Sequence, residues 1–259
     1  MGSLPAERKA LLFSAGGVRL ALSLSQVQEI VAAPADPPEV TFRGAAIPGL
    51  PVALSLGLPA GPSRFAIVTE GAPRLALMVE ELHGIIDLAV AEVFQLPARF
   101  LLPQPSPFQA AVVSEGAIAL ELAVSALDWA PAHPPGELSG PPPELDRPAG
   151  RELYFARGGR TFAVALQLLA RVLDCPTVHP VPLAPPFHRG LIYHGRAIHP
   201  AFDVPVLYGD VVGEGASKAL LVEAGGNSIA LLADRILPEG DAAGRHVARP
   251  SWDLLFAGA

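Results

Sequence analysis

The chain has 259 residues, 51% of them hydrophobic, and is therefore long enough to bury one or two sizeable cores. Its 25 acidic side chains outnumber its 18 basic ones and give a formal net charge of -7. An acidic chain without a run of basic residues lacks the charge that a phosphate backbone requires, so nucleic acid is excluded as an expected partner. The single cysteine excludes an internal disulfide.

The first apolar stretch, residues 11–24, does not resemble a signal peptide. Gly16, Gly17 and Arg19 interrupt it, whereas a signal peptide needs an unbroken apolar region. No apolar run in the chain approaches the ~18–20 residues that a membrane-spanning helix needs. We therefore expect a cytoplasmic protein with no membrane insertion.

Short strands account for most of the first 129 residues. Residues 12–24 alternate apolar and polar around Gly16-Gly17, which predicts a β-hairpin with its turn at the glycines. Residues 65–82 predict a second pair of strands, with a turn at Gly71. Helical signal is sparse: residues 25–31 predict one amphipathic turn with Ser25 as N-cap, and residues 125–129 predict a short closing helix.

Residues 130–150 are rich in proline and almost free of large apolar side chains. Proline density favours an extended, semi-rigid chain, so this stretch is interpreted as a linker between two domains. A polyproline ligand for a partner is the functional alternative, although spacer use explains the composition without any partner.

The patterns of the first half recur after the linker. Residues 154–166 line up with residues 12–24, each around a Gly-Gly pair, and residues 219–236 resemble residues 65–82. The continuous apolar runs are too short for buried helices and favour strands packed on both faces. An internally duplicated all-β unit is the simplest interpretation.

A histidine-rich stretch, residues 187–204, carries the most specific motif: FHRGLIYHGRAIHPAFDV. The stretch contains, in this order, Arg189-Gly190, Gly195, Pro200 and Asp203, and Gly209 lies just beyond it. In this order, and in the flanking strand pairs, the chain resembles the CheW-like domain, the adaptor module of bacterial chemotaxis. Residues 11–127 resemble a first copy of that domain.

The resemblance implies an all-β fold of two CheW-like domains, each built from two small SH3-like five-stranded β-barrels. The first domain is expected at residues 8–129, the linker at 130–150, and a C-terminally shortened second domain at 151–259. It also implies a non-catalytic adaptor that couples chemoreceptors to a CheA-type histidine kinase through apolar grooves. The implied partners are that kinase and the cytoplasmic tips of the receptors, with self-association as a further prospect.

The positions that match the family motif are the candidate partner-binding residues. They are Arg189, Gly190, His194, Gly195, Arg196, Pro200 and Asp203 in the second copy and Glu29 in the first.

Departures from the family pattern support a second hypothesis. In the first copy, residues 42–59 predict an eroded central hairpin. The second copy has Arg171 where Glu29 stands in the first, and after Ile236 it is too short for the usual closing hairpin. We therefore expect residues 229–233 to form an unpaired strand covered by residues 252–256, by the first domain or by another chain. The alternative function is a diverged interaction module that has lost receptor coupling and binds itself or another partner.

Metal binding and catalysis are the remaining alternatives. Cys175, His179 and the histidines of residues 187–204 offer one weak Cys-x-x-x-His pair rather than a zinc ligand set. Glu80-Glu81 is interpreted as a solvated strand end rather than an acid/base pair, and no nucleophile motif is present. Asp203 is predicted to cap a turn through the backbone. No metal, cofactor or enzymatic activity is expected.

Overall fold

The computed structural model describes residues 8–33, 39–71, 73–96, 106–127, 150–213, 215–242 and 246–250, with Trp252 and Leu255. These residues form two compact units, the first ending at residue 127 and the second beginning at residue 150. The predicted linker lies outside the described residues, except for Gly150. The fold is all-β with two domains, as predicted.

Eleven strands and one short helix make up the described part of the first unit. They are β1 (Lys9–Ala15), β2 (Val18–Ser23), β3 (Val27–Ala32), β4 (Glu39–Phe42), β5 (Ala45–Pro51), α1 (Val52–Ser55), β6 (Phe65–Thr69), β7 (Ala76–Val79), β8 (Glu81–Asp87), β9 (Glu92–Gln95), β10 (Phe108–Ser114) and β11 (Ala117–Leu122). They form a six-stranded sheet of order β8-β1-β2-β11-β10-β9 and a five-stranded sheet of order β3-β6-β7-β5-β4.

The described part of the second unit contains nine strands and two short helices. They are β12 (Glu152–Arg157), β13 (Arg160–Ala165), β14 (Leu169–Asp174), β15 (His188–His194), β16 (Ala197–Phe202), α2 (Val204–Leu207), β17 (Lys218–Ala224), β18 (Asn227–Ala233), β19 (Arg235–Leu237), α3 (Glu239–Ala242) and β20 (Val247–Ala248). They form a four-stranded sheet of order β19-β12-β13-β20 and a five-stranded sheet of order β14-β17-β18-β16-β15.

The two units share one topology. The five-stranded sheets have the same strand order, and β19-β12-β13-β20 repeats β8-β1-β2-β11, including the one parallel pairing. The first sheet of each unit has six and four strands rather than the five that were expected, because counterparts of β9 and β10 are missing from the described second unit. The internal duplication is therefore confirmed, and the second copy is the shorter one.

Glycine pairs form the predicted hairpin turns. Ala15 pairs with Val18 across Gly16-Gly17, and Arg157 pairs with Arg160 across Gly158-Gly159. All four glycines have positive φ, the conformation that a two-residue turn between twisted strands requires. Alternating side chains of these strands then enter the cores, where Phe155 stacks on Phe162 at a centroid distance of 5.4 Å.

Three predictions of secondary structure were wrong. Residues 25–31 contain a single 3-10 turn, Leu24–Gln26, followed by β3, and its N-cap is Ser23 with no side-chain hydrogen bond. The β-branched residues Val27, Ile30 and Val31 favour a strand, and pairing with β6 outweighs the helical pattern.

The second wrong prediction is the eroded central hairpin at residues 42–59. In the first unit this hairpin is intact, because β4 and β5 pair across a two-residue turn at Arg43-Gly44.

The third wrong prediction concerns residues 229–233. They belong to β18, which pairs with β17 on one side and β16 on the other, so this strand is not an open edge. The second unit ends its four-stranded sheet with β20 instead, whose two residues pair with Thr161 and Phe162 of β13. Leu255 is buried in the core of the same unit, and Trp252 packs against that core.

An ion pair joins the closing strand of each unit to its opening strand, with opposite polarity. In the first unit Arg8, before β1, lies 3.7 Å from Glu121 of β11. In the second, Arg249 follows β20 and donates two hydrogen bonds to Glu152 of β12, at 2.9 and 3.1 Å. The second pair has the bidentate geometry of a strong guanidinium-carboxylate contact.

The helices α1, α2 and α3 span four residues each. None of them has the length or apolar composition to cross a membrane.

Candidate functional site

The central hairpin of the second unit carries most of the motif residues. Its strands, β15 and β16, join through Gly195 and Arg196, which have φ of +61° and +62°. Both values are those of a type I′ turn, which glycine adopts readily and arginine at some cost. The turn is exposed at the end of the hairpin, and Gly195 occupies it as predicted.

At the other end of β15, Gly190 is required by a close backbone contact. Its φ is +141°, and a β-carbon built on it would lie 2.0 Å from the carbonyl oxygen of His179. The backbone of His179 is bridged here to Leu191, the next residue of β15. Pro200 of β16 faces Leu191 in the register and is buried. Gly190 and Pro200 therefore shape the hairpin from inside.

Asp203 follows β16, and its carboxylate is completely buried between two arginines. Arg157 donates from Nε to Oδ1 at 3.0 Å and from Nη2 to Oδ2 at 2.8 Å. Arg189 donates from Nε to Oδ2 at 3.0 Å. The prediction of a turn cap was wrong, since Asp203 makes no side-chain hydrogen bond to the helix that it precedes. Buried charges of this kind are tolerated only when they are paired and hydrogen-bonded.

Arg157 has acceptors for all five of its N–H groups. Besides Asp203, it donates to Asp234 Oδ1 at 2.7 Å, to the carbonyl of Gly213 at 3.1 Å and to the carbonyl of Gly215. Burial opposes the charged guanidinium, but the hydrogen bonds to Asp203 and Asp234 outweigh it and raise the pKa of Arg157. Arg189 adds a hydrogen bond to the carbonyl of Val212 at 3.3 Å. The two arginines together bind the backbone of a loop at Val212, Gly213 and Gly215.

An open cleft of about 540 Å³ lies beside this loop, lined by Arg157, Gly158, Asp234 and residues of the loop. Because all five N–H groups of Arg157 are used within the protein, the arginine has no donor left for an anion in the cleft. Arg157 therefore fixes the loop rather than binding a ligand in the cleft.

The two edge strands of the second unit's five-stranded sheet, β14 and β15, are joined by a side-chain contact that we call the seam. Here Arg171 of β14 approaches His194 of β15, with 3.4 Å between Nη1 and Nε2. Behind them the ring of His199 contacts Ser228 Oγ at 2.9 Å and the carbonyl of His194 at 3.2 Å. Burial lowers the pKa of His199, although the hydrogen bond to the His194 carbonyl acts in the opposite direction.

In the first unit the seam is closed by a different pair. Glu29 of β3 accepts a hydrogen bond from Arg43 Nη2 at 2.8 Å, and Arg43 lies in the turn that follows β4. The guanidinium also lies 4.9 Å above the ring of Phe42. Glu29 and Arg171 occupy corresponding positions of β3 and β14. A carboxylate therefore faces a guanidinium in the first unit, whereas a guanidinium faces an imidazole in the second.

The motif residues divide into two groups. Gly195 and Arg196 are exposed and His194 is partly exposed, so these three lie at the surface of the hairpin. Gly190, Pro200 and Asp203 are buried, and the partly buried Arg189 is bound to Asp203. Arg157 is the residue of this site that the sequence analysis missed. Its signal was a charged residue where the first copy has Ala15, at the last position of an otherwise apolar strand.

Potential metal ligands do not cluster among the residues that the structure describes. No group of three or more His, Cys, Asp or Glu side chains among them is arranged to hold a metal ion. Glu80 accepts hydrogen bonds from the backbone N–H groups of Gly16 and Gly61, each at 3.0 Å, while Glu81 begins β8. The neighbouring carboxylates therefore have separate environments, and Glu80 has a structural role.

Two SH3-like β units with the same order in their five-stranded sheets, each with an intact central hairpin, define a duplicated all-β protein. A comparison with protein families matches the CheW-like domain at residues 9–129 and again at residues 152–242. The chain belongs to the CheW-like domain family. That family consists of non-catalytic scaffold proteins, which supports an adaptor role in chemotaxis.

Among solved structures, the chain is similar to the scaffolding protein TtCheW from Thermoanaerobacter tengcongensis. The two are 17% identical, the match covers 47% of this chain and 92% of TtCheW, and the TM-score is 0.38. Comparison with curated protein sequences gives no match.

Proposed function

We propose that the protein is a non-catalytic adaptor that couples chemoreceptors to a CheA-type histidine kinase. The observation that supports this most is the double family match, in which each matched segment folds into the same five-stranded sheet around an intact central hairpin. Signal coupling by such a module requires binding and positioning, and no covalent step.

The surface of the second hairpin is proposed as one partner contact. His194, Gly195 and Arg196 form its exposed end, while Gly190, Pro200, Asp203 and Arg189 act from inside the fold as positioning residues. A hairpin fixed by a type I′ turn and by buried ion pairs loses little conformational freedom on binding, so a contact of modest area is sufficient. In the first unit Glu29 of β3 lies at the seam, where it is bound to Arg43 of the corresponding hairpin turn.

Apolar contacts are proposed to provide the rest of the binding surface. Six large hydrophobic side chains of the described residues are exposed: Ile30, Leu54, Ile85, Val90, Val93 and Val211. Val211 is 99% exposed, in the segment between α2 and the loop held by Arg157 and Arg189. A contiguous patch of exposed apolar side chains marks a protein-protein contact, so these six side chains are the candidates for such a surface.

Two CheW-like units in one chain suit a coupling role. If each unit binds a different component, the second binding event becomes intramolecular and its effective concentration rises without any new contact. We propose that the adaptor acts in the cytoplasm, where the kinase and the receptor tips are found.

The test is a quantitative co-purification. The full chain with an affinity tag is expressed in the source cell, and bound proteins are compared by mass spectrometry with those bound to the tag alone. The account predicts enrichment of a CheA-type kinase together with chemoreceptors. Recovery of the tagged chain with untagged copies of itself and neither component would instead favour the diverged, self-associating module. Enrichment of neither component would contradict the coupling role.

A further inference from the structure

The ring of His199 connects β16 to the strands on both of its sides. Only 7% of the residue is exposed. Its Nδ1 lies 2.9 Å from Oγ of Ser228 in β18, and its Nε2 lies 3.2 Å from the carbonyl oxygen of His194 at the end of β15. Since β16 lies between β18 and β15 in the sheet, the ring fastens the end of the central hairpin to a central strand.

The two hydrogen-bond partners determine which nitrogen of His199 carries the proton. A carbonyl oxygen only accepts, so Nε2–H donates to His194 and the Ser228 hydroxyl donates to the lone pair of Nδ1. The neutral ring satisfies both contacts. Protonation puts a second N–H on Nδ1, so the hydroxyl has to turn from donor to acceptor and its own proton needs a new acceptor.

Three charged side chains surround this end of the sheet. Burial is the largest influence and lowers the pKa of His199, and the charge of His194 acts in the same direction. The hydrogen bond to the His194 carbonyl and the carboxylate of Glu223 raise that pKa. Glu223 stands opposite Ser228 in the register of β17 and β18, and Arg171 of β14 adds a guanidinium 3.4 Å from His194. The closed site therefore disfavours the imidazolium relative to a hydrated ring.

We propose that His199 is a proton-sensitive latch, which in its neutral form holds residues 194–199 against β18 and on protonation releases this end of the hairpin. A conformation that hydrates the ring binds the proton more tightly than the closed one, so acidification raises its population. In the first unit the buried Ile47 stands at the corresponding position of β5 and has no group to protonate. The inference concerns the fold of the second unit and does not depend on the proposed adaptor function.

Acidification acts in one direction on this latch. Above the ordinary imidazole pKa of about 6.5, the ring is neutral in both conformations and the latch is closed. As pH falls below this value, the released conformation takes up the proton first and gains population. At pH 5.5, about one unit below the ordinary value, the gain is limited to roughly tenfold.

The test is hydrogen exchange of the full chain, followed by mass spectrometry at pH 7.5 and 5.5 and corrected for the intrinsic pH dependence of exchange. We expect the protection of residues 194–199 to fall about threefold to tenfold at the lower pH. The matched hairpin of the first unit, residues 42–47, should keep its protection. Residues 229–232 of β18 should stay more protected than the hairpin end at both pH values, because the release is local. His199→Gln should abolish the fall, whereas His246→Gln, at an exposed position of the same unit, should leave it unchanged.

A second measurement reads the ring of the unaltered chain directly. Long-range proton–nitrogen correlation spectra of the chain with labelled histidines report the tautomer of His199, and we expect the Nε2–H form at pH 7.5. Glu223→Gln should lower the midpoint of the His199 titration, whereas Glu239→Gln, at an exposed position of α3, should not change it. The inference is overturned if the Nδ1–H form is found, if the two hairpins lose protection by the same factor, or if the fall persists in His199→Gln.

Discussion

The two units share one strand order but have different side chains at the junction between the two sheets of each unit. In the second unit Arg157 and Asp203 form a buried ion pair. In the first unit the corresponding residues are Ala15, at the end of β1, and Pro51, which precedes α1 as Asp203 precedes α2. The comparison shows that the same strand order forms whether the residues at this junction are a buried ion pair or apolar side chains.

One polar contact is common to both junctions. The carboxylate of Glu80 accepts a hydrogen bond from the N–H of Gly16, and the carboxylate of Asp234 accepts one from the N–H of Gly158, each at 3.0 Å. Each acid directly follows a central strand, β7 or β18, and each glycine begins a hairpin turn. This contact, unlike the buried ion pair, belongs to the shared fold.

Among the variants that test this comparison, Arg157→Ala should lower the unfolding free energy of the second unit most. Arg157→Ala leaves Asp203 buried with Arg189 as its remaining partner, so the second unit should lose about 3 kcal/mol of unfolding free energy. The measurement is urea unfolding of the full chain, followed by tryptophan fluorescence in a Trp129→Phe background. There Trp252, which packs on the core of the second unit, is the remaining tryptophan.

The double variant Arg157→Ala with Asp203→Ala supplies the control, because it imitates the apolar junction of the first unit. It should cost less than the sum of the two single variants, since the buried carboxylate and the buried guanidinium are removed together and only the partly exposed Arg189 loses its acid. Additive costs would show that the two side chains are not coupled.

Substitutions at Gly190 and Gly195 compare, within one hairpin, the destabilisation caused by a steric clash with that caused by a positive φ alone. A β-carbon at Gly190 collides with the backbone of His179, whereas at Gly195 nothing lies within 4 Å. Gly190→Ala should therefore destabilise the second unit by about 3 kcal/mol and Gly195→Ala by about 1 kcal/mol, the cost of a positive φ. Equal melting temperatures for the two variants would refute the close contact at Gly190.

The closing ion pairs should differ in strength. The side chains of Arg249 and Glu152 are 18% and 10% exposed, whereas Arg8 is 67% exposed and lies 3.7 Å from Glu121. Arg249→Ala should cost the second unit about 1 to 2 kcal/mol, and Arg8→Ala should cost the first unit about 0.5 kcal/mol or less. Differential scanning calorimetry of the full chain resolves both. A larger effect for Arg8→Ala would reverse the ranking.

His199 should give the second unit a pH dependence that the first unit lacks, because Ile47 stands at the corresponding position of β5. Burial lowers the pKa of His199 below the ordinary value of about 6.5, so the unfolded chain binds a proton more readily than the folded unit. Stability is then fully present above the unfolded pKa and is lost as pH falls through it toward the folded pKa. Urea midpoints between pH 7.5 and 5.5 should fall for the unaltered second unit and fall less for His199→Gln. An identical pH dependence in the two proteins would exclude His199 as its source.

Local pattern predicted much of this structure. Gly-Gly pairs between alternating strands identified the hairpins at residues 12–24 and 154–166, and their recurrence identified the duplication. The turn at Gly195 followed from the same reasoning. These features depend on neighbouring residues along the chain, and sequence reports such neighbours directly.

Long-range pairing was harder to predict. β20 contains two residues, too few for a recognisable strand pattern, and its partner β13 lies more than 80 residues earlier. Likewise, Arg157 and Asp203 are separated by 46 positions, and their pairing appears only when both hairpins fold onto each other. Residues 229–233 were misjudged for the same reason, because both neighbours of β18 had to be known before it was recognised as a central strand.

The direct test of the adaptor role is the affinity of the purified full chain for the regulatory domain of the CheA-type kinase from the same cell, measured by calorimetry. The account predicts saturable binding. It also predicts that the double variant His194→Ala with Arg196→Ala binds more weakly than the unaltered chain, with an unchanged melting temperature. No binding by the unaltered, folded chain to either the kinase domain or the receptor tips would contradict the account.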